Sequence, residues 1–419
     1  MSSHPSLLED RDANLPASLR NVAARLEAEG FEAWLVGEGF LRLLLGQAPE
    51  AFEVATSAPA ERNLDLFAQA IPTHPERGVV SVPSGRIPVD LSSFRLGPAL
   101  TDDLAHRDFT VLAMAYRPAT EELLDPYGGQ RDLEARELRC VNEPSDRFAE
   151  DPARMLRAAR LVSEYALAPQ PDLEEAIANG RDSWKQVPAP RLRRELTRLL
   201  LGDHPAEGLG LLRRTGLESQ LVRRTRSDAG ALIATLPRDL PVRMAAWLRG
   251  SRPRPLLRRL RFGVERSQHI ERLLEHHPLD ACVNPTRDRA LSKLLRQLSP
   301  ADLEALFEMR EWELQHDDTQ TEVTEARKRL AAIRSGIERI HLNRERNHRR
   351  TELALDGKGV MQLLGCGPGR RVGAALRFAA EWVDANPSSN EPGALRRALL
   401  EWDARTADKA GPPPGGLES

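Results

Sequence analysis

The chain has 419 residues, a hydrophobic fraction of 41% and a formal net charge of -2. This length predicts two or more domains, and the apolar content is enough for folded cores. A charge this close to zero gives no argument for nucleic-acid binding, which must come from local patches. No run of about 18 apolar residues occurs and the polar start lacks a signal-peptide pattern, so we expect a soluble, cytoplasmic protein without a membrane partner.

The cysteine and lysine contents give two further observations about the class of protein. The three cysteines, Cys140, Cys282 and Cys366, lie far apart, so neither a zinc knuckle nor a disulfide framework is predicted. Of the 60 basic residues only five are lysine, and the rest are arginine. Arginine favours bidentate contacts with phosphate, although a GC-rich coding sequence explains the same bias.

The first third of the chain predicts a small mixed α/β unit. After a loose arm (1–14), the apolar spacing of residues 15–30 predicts an amphipathic helix that ends at Gly30. A helix at Phe40–Leu45 and a closing segment at Asp108–Tyr116 are also expected. The predicted strands are Ala33–Val36, Glu50–Thr56, Val79–Val82 and Ile87–Phe94.

Helical periodicity replaces strand signals from about Glu143 to Arg405. The charged stretch from Asp302 to about Arg346 predicts one long helix, and the end, rich in Gly and Pro, is predicted to be disordered. The predicted division is a flexible arm (1–14), a head (15–142), a helical neck (143–205), a helical body (206–300), a helical tail (301–408) and a disordered end (409–419).

Six motifs follow one another in a specific order in the first 160 residues. This order resembles that of the class II CCA-adding tRNA nucleotidyltransferases and the bacterial poly(A) polymerases. Further similarity lies at Arg191–Leu200 and Leu353–Gly369. The motifs are Leu35–Gly46, Pro49–Ala58, Val89–Arg95, Asp103–Tyr116, Leu124–Leu133 and Arg147–Arg160.

The resemblance implies an α+β fold, in which a small polymerase-beta-like head precedes a long all-helical neck, body and tail. It also implies an activity, the template-independent transfer of C and A from CTP and ATP to RNA 3′ ends. The implied partner is RNA of the tRNA type, and the implied cofactor of an active enzyme is Mg²⁺. In such chemistry two Mg²⁺ ions activate the attacking hydroxyl and neutralise the leaving pyrophosphate.

The metal motif of the family is altered in this chain. Acids at i and i+2 on a strand point the same way, and the family has Asp-x-Asp there. Ala51 and Glu53 occupy these two positions, and Asp90 matches a third acidic position. Ala51 has no ligand atom, and a displacement of about 1 Å by the longer Glu53 side chain can cost about 10²-fold in rate. Glu53 and Asp90 are therefore the remaining candidate catalytic and metal-binding residues.

The phosphate-binding turn is altered as well. The family's turn is Gly-Gly-x-Val-Arg-Asp, of which Gly37 is kept, whereas Glu38, Leu41 and Arg42 replace the second Gly, the Arg and the Asp. A carboxylate at Glu38 is expected to repel a triphosphate. A one-residue slip of the alignment restores Gly-x-x-Arg at Gly39 and Arg42, but it needs a compensating deletion, and no such slip restores the metal pair.

Two further motifs supply nucleotide-binding candidates. The family's Arg-Arg-Asp-Phe-Thr-Ile-Asn motif keeps Arg107 and Asp108, whereas Leu112 replaces the Asn. The family's Glu-Asp-x-x-Arg motif is intact, and the resemblance implies that Asp151 and Arg154 hydrogen-bond the edge of the incoming base. We expect these two side chains at i and i+3 on one helix face. A salt bridge at a helix start explains the same residues.

The candidate RNA contacts lie in the helical body. Ten arginines but only three acids occur between Arg238 and Arg272, interleaved with Trp247 and Phe262. Such a stretch can bind tRNA phosphates, although a solvated helix face explains any single arginine. The candidate RNA-binding residues are Arg252, Arg254, Arg258, Arg259 and Arg261.

Two functions compete, and a third is kept open. The first is a degenerate family member that binds RNA or a partner protein without transferring nucleotides, because Ala51, Glu38, Leu41 and Leu112 all affect one mechanism. The second is an active C- or A-adding enzyme with an altered metal site built from Glu53, Asp90 and Glu38. The third is a structural or regulatory role without RNA. Oligomeric state, the RNA ligand and the preference for C or A stay open.

Overall fold

The computed structural model describes residues 15–74, 78–94, 97–317, 320–351, 353–385 and 390–407. The chain forms two compact units, Met1–Glu275 and His276–Ser419. The predicted arm (1–14) and the predicted disordered end (409–419) lie outside the described residues. The six-part division of the chain stays a prediction.

The first unit begins with an α/β head. Its strands are β1 (Ala33–Val36), β2 (Phe52–Thr56), β3 (Ile71–His74), β4 (Val79–Val82), β5 (Val89–Ser93), β6 (Ala115–Arg117) and β7 (Glu122–Leu124). Its helices are α1 (Ala17–Ala28), α2 (Gly37–Leu44), α3 (Ala60–Leu66), α4 (Leu100–Ala105) and α5 (Gly129–Glu134), and a 3₁₀ turn spans Thr110–Leu112. The strands form one sheet in the order β3-β4-β5-β2-β1-β6-β7, with β2 and β5 parallel and the other neighbours antiparallel.

The head agrees with the predicted fold class, and several boundaries differ. Strands β1 and β4 have the predicted bounds, whereas the predicted strand Ile87–Phe94 is shortened to Val89–Ser93. Helix α2 begins at Gly37 rather than Phe40, because Gly37 adopts φ 70° and turns the chain directly from β1 into the helix. The sequence prediction missed α3 and β3, which are short; all four residues of β3 are exposed, so it has no apolar alternation to detect.

The helical part of the first unit packs around α7. Helices α9 and α10 both pack against α7, and α13 packs against α15. The helices are α6 (Pro144–Glu150), α7 (Ala153–Tyr165), α8 (Pro171–Gly180), α9 (Ala189–Leu201), α10 (Pro205–Arg214), α11 (Leu217–Leu221), α12 (Ala229–Thr235), α13 (Leu240–Leu248), α14 (Arg254–Leu260) and α15 (Val264–Glu275). A short parallel pair, β8 (Glu137–Leu138) and β9 (Ala168–Pro169), and a 3₁₀ segment at Arg181–Gln186 complete this part.

The second unit is helical wherever the structure describes regular elements. They are α16 (Leu279–Cys282), α17 (Asp288–Gln297), α18 (Pro300–Gln315), α19 (Gln320–Thr351), α20 (Gly357–Leu364), α21 (Arg370–Ala385) and α22 (Pro392–Ala407). The prediction of one helix from Asp302 to Arg346 is wrong, because α18 ends at Gln315 with His316 as its C-cap. Asp317 follows this cap outside the helix, and its residue type competes with the helix backbone for hydrogen bonds.

In the described part of the chain, no helix combines the length and the apolar character that crossing a bilayer requires.

Gly39 sets how closely α2 approaches the start of β2. A Cβ added at Gly39 would lie 2.5 Å from the carbonyl oxygen of Ala51. We predict that Gly39→Ala destabilises the first unit by about 1–3 kcal/mol, because the helix must move off the strand. Urea unfolding followed by circular dichroism measures this change in stability.

The matched control, Gly263→Ala, has no atom within 4 Å of the added Cβ, and it should change stability by less than about 0.5 kcal/mol. Equal stability of both variants would contradict the close approach.

Candidate functional site

A pocket of about 310 Å³ lies between the head sheet and the helices that follow it. Strands β2 and β5 supply its acidic side, and the turn into α2 forms its edge with Gly37 and Glu38. Helices α7 and α9 supply a basic side. The basic side consists of Arg157, Arg160, Arg194 and Arg198. The gathering of acidic and basic side chains in one pocket makes it the candidate site.

The two candidate metal-binding acids are neighbours in the sheet. Glu53 on β2 pairs with Asp90 on the parallel strand β5, so both side chains lie on one face and line the pocket. Ala51 lines the same pocket two residues before Glu53, at the side where a carboxylate would share this face. The structure therefore brings the three predicted positions together in one pocket, and two of them carry a carboxylate.

The acidic side does not fit a pair of Mg²⁺ ions. Glu53 Oε1 accepts a hydrogen bond of 2.9 Å from Arg107 Nη2, and a Cβ at Gly37 would lie 2.5 Å from Glu53 Oε2. One carboxylate is thus bound to a cation and Ala51 contributes no ligand atom. Among the described residues, no group of three His, Cys, Asp or Glu side chains is placed to hold a metal ion. Mg²⁺ usually binds through one or two carboxylates together with waters and substrate phosphates, and here two ions would have to share the Asp90 carboxylate, because Glu53 is bound to Arg107.

Arg107 is a buried link between two acids. Its guanidinium donates to Glu53 and, at 3.2 Å, to Asp103 Oδ2 on α4. Burial lowers the pKa of Arg107, but Glu53 and Asp103 outweigh burial and raise the pKa above its ordinary value. The charge of Arg107 is therefore neutralised inside the protein, which limits its use as a contact for a nucleotide phosphate.

Glu38 lies among arginines rather than beside an open phosphate turn. Arg160 donates to Glu38 Oε1 at 2.9 Å, Arg198 donates to Oε2 at 3.2 Å and also contacts Oε1, and the Tyr165 hydroxyl donates to Oε1 at 3.1 Å. Burial raises the pKa of Glu38, but Arg160 and Arg198 reverse this and hold the pKa well below its ordinary range. The Glu38 carboxylate is ionised and already bound, so Glu38 is not free to serve as the third metal ligand of the active-enzyme hypothesis.

Two other altered positions, Leu41 in the turn and Leu112 in the later motif, are buried in the structure. Leu41 is fully buried, and Leu112 is 5% exposed and borders the pocket. The slipped alignment at Gly39 and Arg42 is not supported by the backbone, because the positive φ belongs to Gly37 and Gly39 lies within α2. Arg42 lines a neighbouring cleft of about 500 Å³ and lies 3.8 Å from Glu50.

Asp108 is a buried acid held by a neck arginine. Its carboxylate is 2.5 Å from Arg157 Nη1, and its Oδ1 accepts the Phe109 backbone N–H at 3.1 Å. Burial raises the pKa of Asp108, but Arg157 and Arg154 outweigh burial and lower it below its ordinary value. This pair ties the head to α7.

The predicted helix face for Asp151 and Arg154 is wrong. Asp151 lies between α6 and α7 at φ -150° and ψ 95°, because a residue that precedes proline is driven out of the helical region. Asp151 accepts both hydrogen bonds of the Arg191 fork, at 2.9 and 2.6 Å. Arg154 instead donates to Glu150 at 2.7 Å and to the His106 carbonyl at 3.0 Å. In this structure the two side chains have separate partners, and their contact with a base stays a prediction.

The sequence prediction missed the basic side of the pocket. Arg157, Arg160, Arg194 and Arg198 were not candidates, yet all four line it. Their spacing of three or four residues, on two helices that pack against each other, was a detectable signal. It was not informative alone, because a run of arginines on a helix is more often a solvated face.

The candidate RNA-binding arginines occupy and flank α14. Arg252, Arg258 and Arg261 are exposed, and Arg254 donates to Glu271 at 3.2 Å with its side chain 70% exposed. Arg259 differs, because it donates to the Lys185 carbonyl at 3.1 Å and also contacts the Val187 carbonyl. An open cleft of about 400 Å³ is lined by Arg254, Arg258, Arg261 and Phe262.

Family models match two stretches of the chain. The model described as "Poly A polymerase head domain" matches residues 33–139, and the one described as "Probable RNA and SrmB- binding site of polymerase A" matches residues 167–226. The first stretch contains β1 to β7 and the acidic side of the pocket. The second contains α9, which carries Arg194 and Arg198. The arginines around α14 lie outside both stretches.

Relatives of known name match about half of this chain. A CC-adding tRNA nucleotidyltransferase of Halalkalibacterium halodurans is 35% identical over 197 residues, which is 47% of this chain and 52% of that protein. Poly(A) polymerase I of Haemophilus influenzae is 32% identical over 226 residues, which is 48% of this chain and 50% of that protein. The chain therefore spans about half the length of the curated relatives it matches.

Solved structures resemble the chain over most of its length. The Bacillus stearothermophilus CCA-adding enzyme in complex with CTP is 26% identical with a TM-score of 0.60, covering 94% of this chain and 100% of that chain. The Thermotoga maritima CCA-adding enzyme complexed with tRNA has a TM-score of 0.59 at 16% identity, covering 94% and 98%, and it supports the fold alone.

A sheet with paired acids, closed by arginine-bearing helices, defines a nucleotidyltransferase-type head on a mostly helical chain. Residues 33–139 carry a head domain of the poly(A) polymerase type, and the chain is similar to CCA-adding tRNA nucleotidyltransferases and to bacterial poly(A) polymerases.

We predict that Arg157→Leu destabilises the first unit by about 3–5 kcal/mol at pH 7, because it leaves the Asp108 carboxylate, 6% exposed, without its closest cation. A lowered pKa means that ionised Asp108 stabilises the native state at neutral pH and that this contribution is lost as the pH falls through the native pKa. In the variant Arg157 no longer offsets burial, so Asp108 takes up its proton at a higher pH than in the wild type, and the stability deficit of the variant should shrink in acid. Urea unfolding at pH 7 and pH 4 measures both effects.

The control for this prediction is Arg62→Leu, which removes an exposed arginine that lies 3.6 Å from Glu29 and 3.7 Å from Asp65. It should cost less than about 1 kcal/mol. A deficit of Arg157→Leu that is the same at both pH values would contradict the role assigned to the Asp108 charge.

Proposed function

We propose that this chain binds RNA of the tRNA type through its family architecture and transfers nucleotides weakly or not at all. The observation that carries the proposal is the acidic side of the pocket. Ala51 supplies no ligand, and Glu53 is bound to Arg107 at 2.9 Å. Two-metal transfer needs carboxylates that are free to coordinate. Two of the three aligned positions carry a carboxylate, and Asp90 is the one that makes no ion pair within the described part of the chain.

The electrostatics of the pocket support the same proposal. Five arginines of the described chain line the pocket, and each contacts a carboxylate of the protein itself: Arg107, Arg157, Arg160, Arg194 and Arg198. A phosphate would have to displace those carboxylates, and desolvated ion pairs are costly to break. Weak nucleotide binding follows from this arrangement.

RNA binding is supported by the surface around α14 and by the relatives. Arg258 and Arg261 are exposed beside Phe262 in one cleft, and such a combination can contact RNA phosphates and stack against a base. The matched head and RNA-binding models belong to a family whose named members act on tRNA or RNA ends. We propose that this chain binds the same class of partner.

One observation favours the alternative of an active enzyme. Glu53 and Asp90 are adjacent on parallel strands, so a single divalent ion could bind between them once Glu53 releases Arg107. Transfer by the chain would then depend on both acids.

An incorporation assay separates the two functions. Purified protein is incubated with tRNA lacking its 3′ CCA, labelled CTP or ATP, and Mg²⁺ or Mn²⁺. We expect incorporation at the level of the Glu53→Gln and Asp90→Asn variants, because the wild-type site does not hold the required ions. Robust incorporation that disappears in either variant would establish the active enzyme and overturn our proposal.

We predict that Arg258→Ala with Arg261→Ala weakens tRNA binding and lowers the slope of log affinity against log salt by about 1–2, because each lost phosphate contact contributes about 0.9. Filter binding at several salt concentrations measures the slope. The control Arg259→Ala removes contacts with backbone carbonyls, so it should lower stability and leave the slope unchanged. Binding without salt dependence would count against RNA contacts on this surface.

A further inference from the structure

The surroundings of Glu38 form an anion site. Four donor atoms converge on its carboxylate, from Arg160, from both terminal nitrogens of Arg198 and from the Tyr165 hydroxyl. The donors come from α7 and α9, whereas Glu38 comes from the head. The Arg160 side chain is 2% exposed and that of Glu38 is 23% exposed, so the contact is largely shielded from water.

The location of the carboxylate within α2 adds to this site. Glu38 is the second residue of that eight-residue helix, where free backbone N–H groups and the helix dipole favour negative charge. The same carboxylate borders the pocket that contains Glu53 and Asp90. An anion at this point would therefore lie in the same pocket as the two strand acids.

Carboxylate and phosphate compete for such a site because both accept paired hydrogen bonds from a guanidinium group. Arg160 and Arg198 also contact Glu164, at 2.6 and 2.7 Å, and Arg160 contacts Glu195 at 2.7 Å, so these acids would still hold both side chains without Glu38. Removal of Glu38 would leave these arginines with one negative charge fewer and with space for a ligand.

We propose that Arg160, Arg198 and Tyr165 form a phosphate-binding site that the chain fills with its own Glu38 carboxylate. The ligand class is the phosphate of pyrophosphate or of a nucleoside triphosphate. The inference rests on the proposed function in one respect, since it treats this pocket as the nucleotide pocket of the family. It adds that Glu38, independently of the altered metal site, keeps phosphate out.

Calorimetric titration with pyrophosphate, without metal or RNA, tests the proposal. The proteins compared are the wild type, Glu38→Ala and the double variant Glu38→Ala with Arg198→Ala. We expect Glu38→Ala to bind pyrophosphate at least about tenfold more tightly than the wild type, and the double variant to lose that gain. Equal affinities of wild type and Glu38→Ala, with unchanged circular dichroism, would overturn the proposal, and so would a gain that persists in the double variant.

Titration with CTP distinguishes the two sources of phosphate. A gain for CTP that exceeds the gain for pyrophosphate identifies a nucleotide site, and equal gains identify a site for phosphate alone; both support the proposal.

If Glu38→Ala does not fold, Glu38→Gln keeps the size of the side chain and removes its charge. Pyrophosphate should then raise the melting temperature of Glu38→Gln more than that of the wild type, and no difference would overturn the proposal. If the wild-type chain does not bind tRNA, that result contradicts only the proposed function and leaves the phosphate-site proposal standing.

Discussion

Charge pairing between the head and the neck is the constraint on which the candidate site depends. Glu38 and Asp108 belong to the head, and their cations, Arg160, Arg198 and Arg157, belong to helices far along the chain. These groups are largely removed from water, where an unpaired charge is expensive. Each pair therefore fixes the distance between the sheet and the neck helices, and loss of one member affects both sides.

The same pairing determines what the pocket can bind. Arginines that face a nucleotide pocket stabilise phosphate only when they are not already neutralised, and a carboxylate coordinates a metal only when no cation holds it. Here Glu53 is held by Arg107, and the arginines of α7 and α9 are held by acids of the protein. The fold of the head and the helices is that of the similar enzymes, and the charged side chains that line the pocket pair with one another.

The structure also changes the role that we infer for the Glu38 carboxylate. From sequence alone, a carboxylate in the phosphate turn is expected to act by repelling a triphosphate. In the structure it takes hydrogen bonds that a phosphate could take, so occupation of the site adds to repulsion. Under both proposals, Ala51 and Glu38 would affect different parts of one reaction, because Ala51 would remove a metal ligand and Glu38 would fill an anion site.

The sequence predicted the features that are encoded locally. The order of motifs gave the family and the α/β head followed by helices, and the strand periodicity placed β1 and β4 correctly. It did not give the partners of Glu38 or Asp108, because these contacts join residues 122 and 49 positions apart. The face assigned to Asp151 and Arg154 was wrong because Pro152 interrupts the helix between them. The break after Gln315 was missed because polar, charged residues continue across it.

Binding of Mn²⁺ alone, followed by electron paramagnetic resonance, tests most directly whether the acidic side of the pocket has lost its metal site. Free Mn²⁺ gives a signal that disappears when the ion is bound by protein carboxylates. The account predicts that the wild-type chain leaves the signal unchanged at stoichiometric Mn²⁺, as do the Glu53→Gln and Asp90→Asn variants. Stoichiometric loss of the signal with the wild type, restored in both variants, would contradict it.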